Sequence, residues 1–185
     1  MNKENSVVIV SAKRSPIGSF QGAISSISAP KLGSLIISNI LEETTVDPFL
    51  VDEIIMGNVL SAGIGQAPAR QAAIGAGMPD SVECLTINKM CGSGLKAVML
   101  GSQAIQVNDA NIIIAGGFES MSQSPYLVPK ARAGYRLGHG NLIDSVIFDG
   151  LWDVYNDIHM GNCAEICARD RGYSIIDQND FAKES

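Results

Sequence analysis

Residues 82–95 read VECLTINKMCGSGL and join two patterns of different period. The first six residues form an apolar run that is typical of a β-strand. The residues after the two glycines recur at three- and four-residue spacing, which is the pattern of a helix. They are Leu95, Val98, Met99, Ser102 and Ile105. Cys91 is therefore predicted to lie in the turn between a strand and the N-terminus of a helix.

The position of Cys91 allows two interpretations. Free backbone N–H groups and the helix dipole at a helix N-terminus favour a thiolate over a thiol. Gly92 and Gly94 leave the backbone uncovered, so that a substrate could approach it closely. These features predict an activated nucleophile. Position alone favours a small buried cysteine at a tight turn, so the choice depends on the rest of the sequence.

The order of the apolar runs predicts an α/β fold. Strand and helix patterns alternate, which argues for helices packed on a largely parallel sheet. The predicted strands are residues 7–10, 53–57, 82–87 and 111–116, and the predicted helices begin near Pro30, Pro68 and Leu95. The continuous apolar run at 111–116 predicts a central strand that is covered on both faces. Cys91 then lies at the carboxyl end of a strand, where such sheets usually place their sites.

The composition indicates a globular protein of acidic character. The 185 residues are 46% hydrophobic and 17% charged, enough for a substantial core. The net charge of −6 gives no electrostatic support for binding nucleic acid. No signal peptide, transit peptide or apolar span of about 18 residues is recognisable, which predicts a cytoplasmic protein with no membrane contact. The four cysteines lack metal-type pairs and only two histidines exist, so we expect free thiols and no metal site.

Six blocks of the sequence resemble the thiolase family, and within it the acetoacetyl-CoA thiolases. The blocks stand in the family's order and cover nearly the whole chain, but they correspond only to the front part of a thiolase. They are SAKRSPIG (11–18), MGNVL (56–60), GQAPARQA (65–72), INKMC (87–91), AGGFESMS (115–122) and HMGNCAE (159–165). The match of the residues around Cys91 to a family block favours the interpretation of Cys91 as a nucleophile over that of a buried structural cysteine.

The resemblance implies two regions. Residues 1–120 correspond to the N-terminal α/β domain of the layered thiolase fold, which carries the nucleophile. Residues 121–185 correspond to the beginning of an inserted loop domain, with a tetramerisation loop and coenzyme A contacts. The stretch 121–143 has no acidic residue, and its basic or titratable residues are Lys130, Arg132, Arg136 and His139. This positive patch suits the phosphates of coenzyme A. A solvated loop or a subunit contact fits its composition as well, and the resemblance favours assembly for its first part.

The resemblance also implies reversible acyl transfer through an acyl-enzyme. The Cys91 thiolate attacks an acyl-CoA thioester, and the backbone N–H of Cys91 helps to hold the oxyanion. Claisen condensation with a second acetyl-CoA then gives acetoacetyl-CoA and free coenzyme A, and the reverse reaction is thiolysis. The coenzyme A thioesters are substrates and no separate cofactor is implied. A homodimer or homotetramer of the complete protein is expected.

Three further residues match family positions near the substrate. Leu151 and Met160 match positions that line the acyl pocket, and His159 matches a position near the pantetheine arm. Other interpretations stay open for all three. Apolar residues in such places belong to the core by default, and a hydrogen-bonded histidine at a loop edge explains His159 equally well.

Three catalytic motifs of the family do not occur in the sequence. They are a Gly-His-Pro segment whose histidine activates the nucleophile, a second cysteine in a Cys-x-Gly context, and an Asn-Glu-Ala-Phe segment that positions a water. General acid–base catalysis is typically worth about 10²–10⁴-fold, so the chain alone is expected to turn over poorly or not at all. The alternatives are a degradative 3-ketoacyl-CoA thiolase of wider chain-length range, a non-catalytic acyl-CoA-binding or assembly fragment, and a truncated product that self-associates.

Overall fold

A parallel sheet of three short strands organises the chain in the computed structural model, which describes residues 6–185. The strands are β1 (Glu53–Gly57), β2 (Glu83–Ile87) and β3 (Ile113–Gly117). Their spatial order is β2-β1-β3, and every residue of β1 is paired with both neighbours. The carboxyl ends of the three strands therefore share one edge of the sheet, as the alternating pattern predicted.

Three helices cover the two faces of this sheet. They are α1 (Ala29–Thr44), α2 (Pro68–Gly75) and α3 (Ser93–Gln106). α1 and α2 pack on the face to which Ile54 and Met56 point, and these side chains join Ile37 and Ala72 in the hydrophobic core. α3 packs on the opposite face, over Gly57. The α/β fold with a parallel sheet flanked by helices is therefore confirmed.

The side of α3 that meets the sheet is made of small residues. Ser93, Ala97 and Gly101 are its buried positions, spaced about one helical turn apart. A Cβ on Gly101 would lie 3.0 Å from Cγ2 of Ile113, so a larger residue would push the helix away from β3. The larger apolar residues lie on the outer side, and Leu95 is 69% exposed. The spacing predicted the helix correctly, but it did not predict which side would pack.

Residues 7–10 do not form the predicted first strand. The segment is irregular, and Val8, Ile9 and Val10 are between 70% and 77% exposed. A groove of about 700 Å³ is lined by residues 7–15, by β3 and by parts of α1 and α3. β3 is consequently an edge strand and only half-buried, so the prediction of a central strand at 111–116 is wrong. An apolar run indicates which faces are covered, whereas edge or centre depends on pairing with distant segments.

Residues 121–185 contain short elements and two longer helices. The elements are β4 (Tyr126–Leu127) antiparallel to β5 (Ile143–Asp144), a π-helix (Val146–Leu151), β6 (Trp152–Asp153) antiparallel to β7 (Ile158–His159), α4 (Met160–Arg171) and α5 (Ile175–Glu184). The positive patch lies in the loop of residues 128–142, in which every residue is exposed.

None of the helices within residues 6–185 has both the length and the apolar character needed to cross a membrane. The domain boundary at residue 120 stays a prediction.

Asp52 ties the start of β1 to the start of β3. Its Oδ2 accepts hydrogen bonds from the N–H groups of Asn111 (2.6 Å) and Ile112 (3.0 Å). These bonds, led by the one from Asn111, lower the pKa of the Asp52 carboxyl below its ordinary value of 3.8. Because the folded pKa is depressed, the carboxylate stabilises the fold above pH 3.8, and this contribution is lost as the pH falls through the folded pKa.

We expect Asp52→Asn to lower the free energy of unfolding by about 0.5–1 kcal/mol at pH 7, since solvent screens these exposed hydrogen bonds. The difference from the parent protein should shrink as the pH is lowered below 3.8. Urea unfolding across this pH range measures both quantities. Asp180→Asn is the matched control, because within residues 6–185 the Asp180 side chain makes no hydrogen bond or ion pair. A loss that is equal at all pH values would contradict the assignment.

Candidate active site

The turn that carries Cys91 lies where the sequence predicted it. β2 ends at Ile87 and α3 begins at Ser93, so Cys91 stands two residues before the helix at the carboxyl edge of the sheet. Its thiol is exposed and free. The interpretation of Cys91 as a small buried cysteine is therefore wrong, and its predicted place in a strand-to-helix turn is confirmed.

Side chains on both sides of Cys91 hold the turn in a strained shape. Met90 has a φ of +48°, in the left-handed region that costs a non-glycine residue about 1–2 kcal/mol. Asn88 Oδ1 accepts the N–H of Met90 at 2.9 Å. Oγ of Ser93 accepts the N–H of Lys89 at 2.8 Å and donates to the carbonyl of Met90 at 2.6 Å. Strain of this kind persists only where the surroundings over-determine the backbone, and here they do.

The backbone N–H of Cys91 is available to a ligand. The N–H groups of Gly92 and Ser93 donate to the carbonyls of Lys89 (3.1 Å) and Met90 (3.0 Å). In the part of the chain that the structure describes, the N–H of Cys91 donates no hydrogen bond. An exposed thiol beside a free N–H at a helix N-terminus suits a nucleophile that must also hold an oxyanion.

Glycines let the N-terminus of α3 rest directly on the sheet. A Cβ on Gly57 would lie 2.6 Å from the carbonyl carbon of Ser93 and 2.7 Å from the N of Gly94. A Cβ on Gly117 would lie 3.3 Å from Cα of Gly94. The close approach of the Cys91 turn to the carboxyl ends of β1 and β3 therefore requires residues without side chains.

The carboxylate of Glu119 fastens the loop after β1 to the end of β3. It accepts hydrogen bonds from the side chain of Asn58 (2.7 Å) and from the N–H groups of Val59 and Leu60 (both 2.9 Å). The Asn58 amide also donates to the carbonyl of Phe118 at 3.2 Å. Sequence reasoning missed both side chains, because a polar residue after a strand has no pattern of its own. Their only signal was their place in the blocks MGNVL and AGGFESMS.

The three predicted substrate-binding residues lie together but are not joined to Cys91 by hydrogen bonds within residues 6–185. β6 and β7 pair antiparallel, which brings Leu151, just before β6, close to His159 and Met160. Nδ1 of His159 accepts the N–H of Gly161 at 3.0 Å and caps α4. That bond fits the hydrogen-bonded histidine that the sequence left open. The roles of all three towards a substrate stay predictions.

Two of the other three thiols, those of Cys84 and Cys163, are less exposed than the thiol of Cys91. Partial burial raises the pKa of the Cys84 thiol. Partial burial, together with the hydrogen bond and charge of Asp153, raises the pKa of Cys163, whose Sγ lies 3.6 Å from Oδ2 of that carboxylate. Cys167 is exposed on α4. Cys84 and Cys163 are therefore held as thiols, which are poorer nucleophiles than thiolates.

Groups that could hold a metal or an anion are few in the described chain. Across residues 6–185, no cluster of three or more His, Cys, Asp or Glu side chains is placed to bind a metal ion. Lys130, Arg132 and Arg136 are exposed in the loop of residues 128–142, and none of them forms an ion pair with a described residue. These cations are free to meet an anionic group.

We expect iodoacetamide to modify Cys91 and Cys167 about tenfold faster than Cys84 and Cys163 at pH 7.5, because the latter pair is shielded and held protonated. Peptide mass spectrometry over a time course measures the four rates in one sample. The same reaction in denaturant is the control, and there the four rates should converge. Labelling of Cys84 in the folded protein as fast as Cys167 would contradict its placement.

We expect Gly57→Ala to lower the free energy of unfolding by about 1–3 kcal/mol, since its methyl group overlaps the backbone of α3. Gly116→Ala is the matched control, because the nearest atom to its Cβ is Cε of Met56 at 3.7 Å, an ordinary contact. That variant should keep the parent stability. Chemical unfolding of the two variants decides the matter, and equal losses would show that α3 does not rest on Gly57.

Comparison with known proteins gives consistent matches over almost the whole chain. The family model described as the thiolase N-terminal domain matches residues 7–185. The chain is 55% identical to an acetyl-CoA acetyltransferase of Pseudomonas aeruginosa, over 97% of this chain and 46% of that protein. It is 53% identical to acetyl-CoA acetyltransferase 2 of Arabidopsis thaliana, over 97% of this chain and 44% of that protein.

A third relative carries a broader name. It is a probable acetyl-CoA acyltransferase of Staphylococcus aureus, 48% identical over 97% of this chain and 46% of that protein. The chain therefore spans somewhat less than half the length of the curated relatives it matches.

Proposed function

Because the chain belongs to the thiolase family, we propose that it supplies the nucleophilic part of an acetyl-CoA acetyltransferase. The complete enzyme joins two molecules of acetyl-CoA into acetoacetyl-CoA and free coenzyme A, and it catalyses the reverse thiolysis. The observation that carries the proposal is the exposed thiol of Cys91 at the N-terminus of α3, beside its own free N–H. The names of the relatives supply the substrate class.

The first half-reaction transfers an acetyl group to Cys91. Its Sγ, as a thiolate, attacks the carbonyl carbon of acetyl-CoA, and the negative charge moves to the carbonyl oxygen, where the Cys91 N–H donates a hydrogen bond. Collapse of this intermediate breaks the bond to the coenzyme A sulfur, which leaves as a thiolate and takes up a proton. One thioester replaces another, so the step is nearly balanced in energy.

The second half-reaction forms the carbon–carbon bond. A second acetyl-CoA gives a proton from its α-carbon to a base, and the resulting carbanion attacks the acetyl carbonyl on Cys91. Acetoacetyl-CoA forms, and Cys91 leaves as a thiolate. We expect the base to come from a part of the enzyme outside these residues, since the Gly-His-Pro and Cys-x-Gly motifs do not occur in the sequence.

Residues after β4 supply the proposed contacts with the rest of the substrate. Leu151 and Met160 offer apolar surface to the acyl group. His159 uses Nδ1 within its own turn, which leaves Nε2 free to donate to the pantetheine arm. The exposed cations of the loop of residues 128–142 suit the phosphates of coenzyme A, because a phosphate attracts flexible basic side chains.

A degradative 3-ketoacyl-CoA thiolase of wider chain-length range is the second candidate. The broader name of the Staphylococcus aureus relative, an acetyl-CoA acyltransferase, favours it. The two candidates differ in the rate of thiolysis of long 3-ketoacyl-CoA thioesters relative to acetoacetyl-CoA. Assay of the complete protein with both substrates separates them.

We also propose that the complete protein forms a homodimer or homotetramer in the cytoplasm and uses no cofactor besides its coenzyme A substrates. Exposed apolar side chains on the outer side of α3 support assembly, since contiguous apolar patches often mark interfaces. These side chains are Leu95, Val98 and Met99. Light scattering of the complete protein reads out the assembly directly.

We expect acetyl-CoA to place one acetyl group on Cys91 of the 185-residue chain, slowly and without later condensation, because the acid–base motifs are absent. Turnover to acetoacetyl-CoA should lie at least about 100-fold below that of a complete relative. Intact mass and peptide mass spectrometry measure the acetylation, and a coenzyme A assay measures the turnover.

Two variants serve as controls for this experiment. Cys91→Ser should abolish the acetylation, and Cys167→Ser, which removes the other exposed thiol, should leave it unchanged. Acetylation that persists in Cys91→Ser would contradict the role given to Cys91. A folded parent protein that takes up no acetyl group would mean that Cys91 needs the histidine of the Gly-His-Pro motif to react, and its role is then tested in the complete protein.

A further inference from the structure

The hydroxyl of Ser93 forms hydrogen bonds with the backbone of the two residues that precede Cys91. It accepts the N–H of Lys89 at 2.8 Å and donates to the carbonyl of Met90 at 2.6 Å. A hydroxyl accepts and donates through one atom, which an aliphatic side chain of similar size cannot do. Alanine at this position would leave the N–H of Lys89 without this acceptor, and the Met90 carbonyl would keep only the backbone N–H of residue 93 as a donor.

Ser93 is itself held in place by the sheet. Its exposure is only 4%, and a Cβ built on Gly57 beneath it would lie 2.6 Å from the Cβ of Ser93. The side chain therefore has no room to move towards β1, and its hydroxyl stays in the turn. Through this hydroxyl, the packing of Ser93 on β1 restrains the backbone conformation of Lys89 and Met90.

The turn needs such a tie because Met90 is in the left-handed conformation, with a φ of +48°. The other side-chain tie, from the N–H of Met90 to Oδ1 of Asn88, is exposed, so water competes with it. When the part-buried hydrogen bonds of the Ser93 hydroxyl are removed, the positive φ of Met90 is held only by the Asn88 bond and by backbone bonds, and Met90 can relax to a negative φ. That change rotates the next peptide group, to which the N–H of Cys91 belongs.

We infer that Ser93 is the positioning residue of the nucleophile, holding the thiol and the N–H of Cys91 at the helix N-terminus in the direction that acyl transfer requires. The inference rests on the proposed function and names the residue that prepares its nucleophile. Ser93 acts through Met90 and is not itself placed to touch the acyl group. A residue that only stabilised the start of α3 would affect unfolding and leave the reactivity of Cys91 in the folded state unchanged.

Alkylation by iodoacetamide tests this inference without any coenzyme A substrate. In the folded 185-residue chain at pH 7, the rate at Cys91 is measured relative to the rate at Cys167 in the same molecule. Ser93→Ala should lower this ratio about fivefold, because the thiol is no longer held at the helix N-terminus. Ser93→Thr keeps the hydroxyl and should keep most of the ratio. Ser102→Ala, which removes a hydroxyl elsewhere on α3, should match the parent.

Met90→Gly separates positioning from stability. Glycine adopts a positive φ without strain, so the effect of Ser93→Ala should shrink below about twofold in a Met90→Gly background. A folded Ser93→Ala protein with a lower Tm and an unchanged alkylation ratio overturns the inference. If Ser93→Ala does not fold in buffer, parent and variant are compared in trimethylamine N-oxide, which favours the folded state. A ratio about fivefold below that of the parent in the same solution supports the inference, and an unchanged ratio overturns it.

Acetylation by acetyl-CoA, measured on the same variants, reports separately on the proposed function. A complete protein in which acetyl-CoA never acetylates Cys91 contradicts the proposed function and leaves the alkylation result for Ser93 standing. Unchanged alkylation in folded Ser93→Ala overturns the role of Ser93 while acetylation of the parent still supports the function. The two failures are therefore distinguishable.

Discussion

The contact between the N-terminus of α3 and the glycines at the carboxyl ends of β1 and β3 is the constraint on which the candidate site depends. At Gly57 even one methyl group would come within 2.7 Å of the helix backbone. Since interiors are packed to the density of organic crystals, such an overlap displaces the helix. The Cys91 turn can therefore lie where it does because Gly57 and Gly117 below it have no side chains.

Carboxylates hold the strands of this small sheet at both ends. Asp52, just before β1, accepts two backbone N–H groups at the amino end of β3, and Glu119, shortly after β3, accepts two just after β1 together with the amide of Asn58. Strands of five residues form few hydrogen bonds between themselves. The hydrogen bonds to these carboxylates therefore help to fix the register of β1 against β3 and stiffen the backbone where the chain leaves the sheet.

The buried hydroxyl of Ser93 joins these two features. The Ser93 side chain packs against Gly57 of β1, and its hydroxyl forms hydrogen bonds with the backbone of Lys89 and Met90. One side chain therefore links the sheet to the strained Met90. A thiol on such a support keeps one direction without needing burial of its own. The exposed thiol of Cys91 and its position on rigid elements are compatible for that reason.

The sequence by itself determined the types and order of the helices and strands from α1 to β3, the place of Cys91 between β2 and α3, and the family. These depend on local period and on ordered blocks, which a single chain displays directly. Only the tertiary structure decided that α3 packs through Ser93, Ala97 and Gly101, and that β3 is an edge strand beside an unpaired segment 7–10. It also decided which partners Ser93 and Glu119 bind. Strand pairing and close approach join residues far apart in the chain, and no local pattern encodes the distance between them.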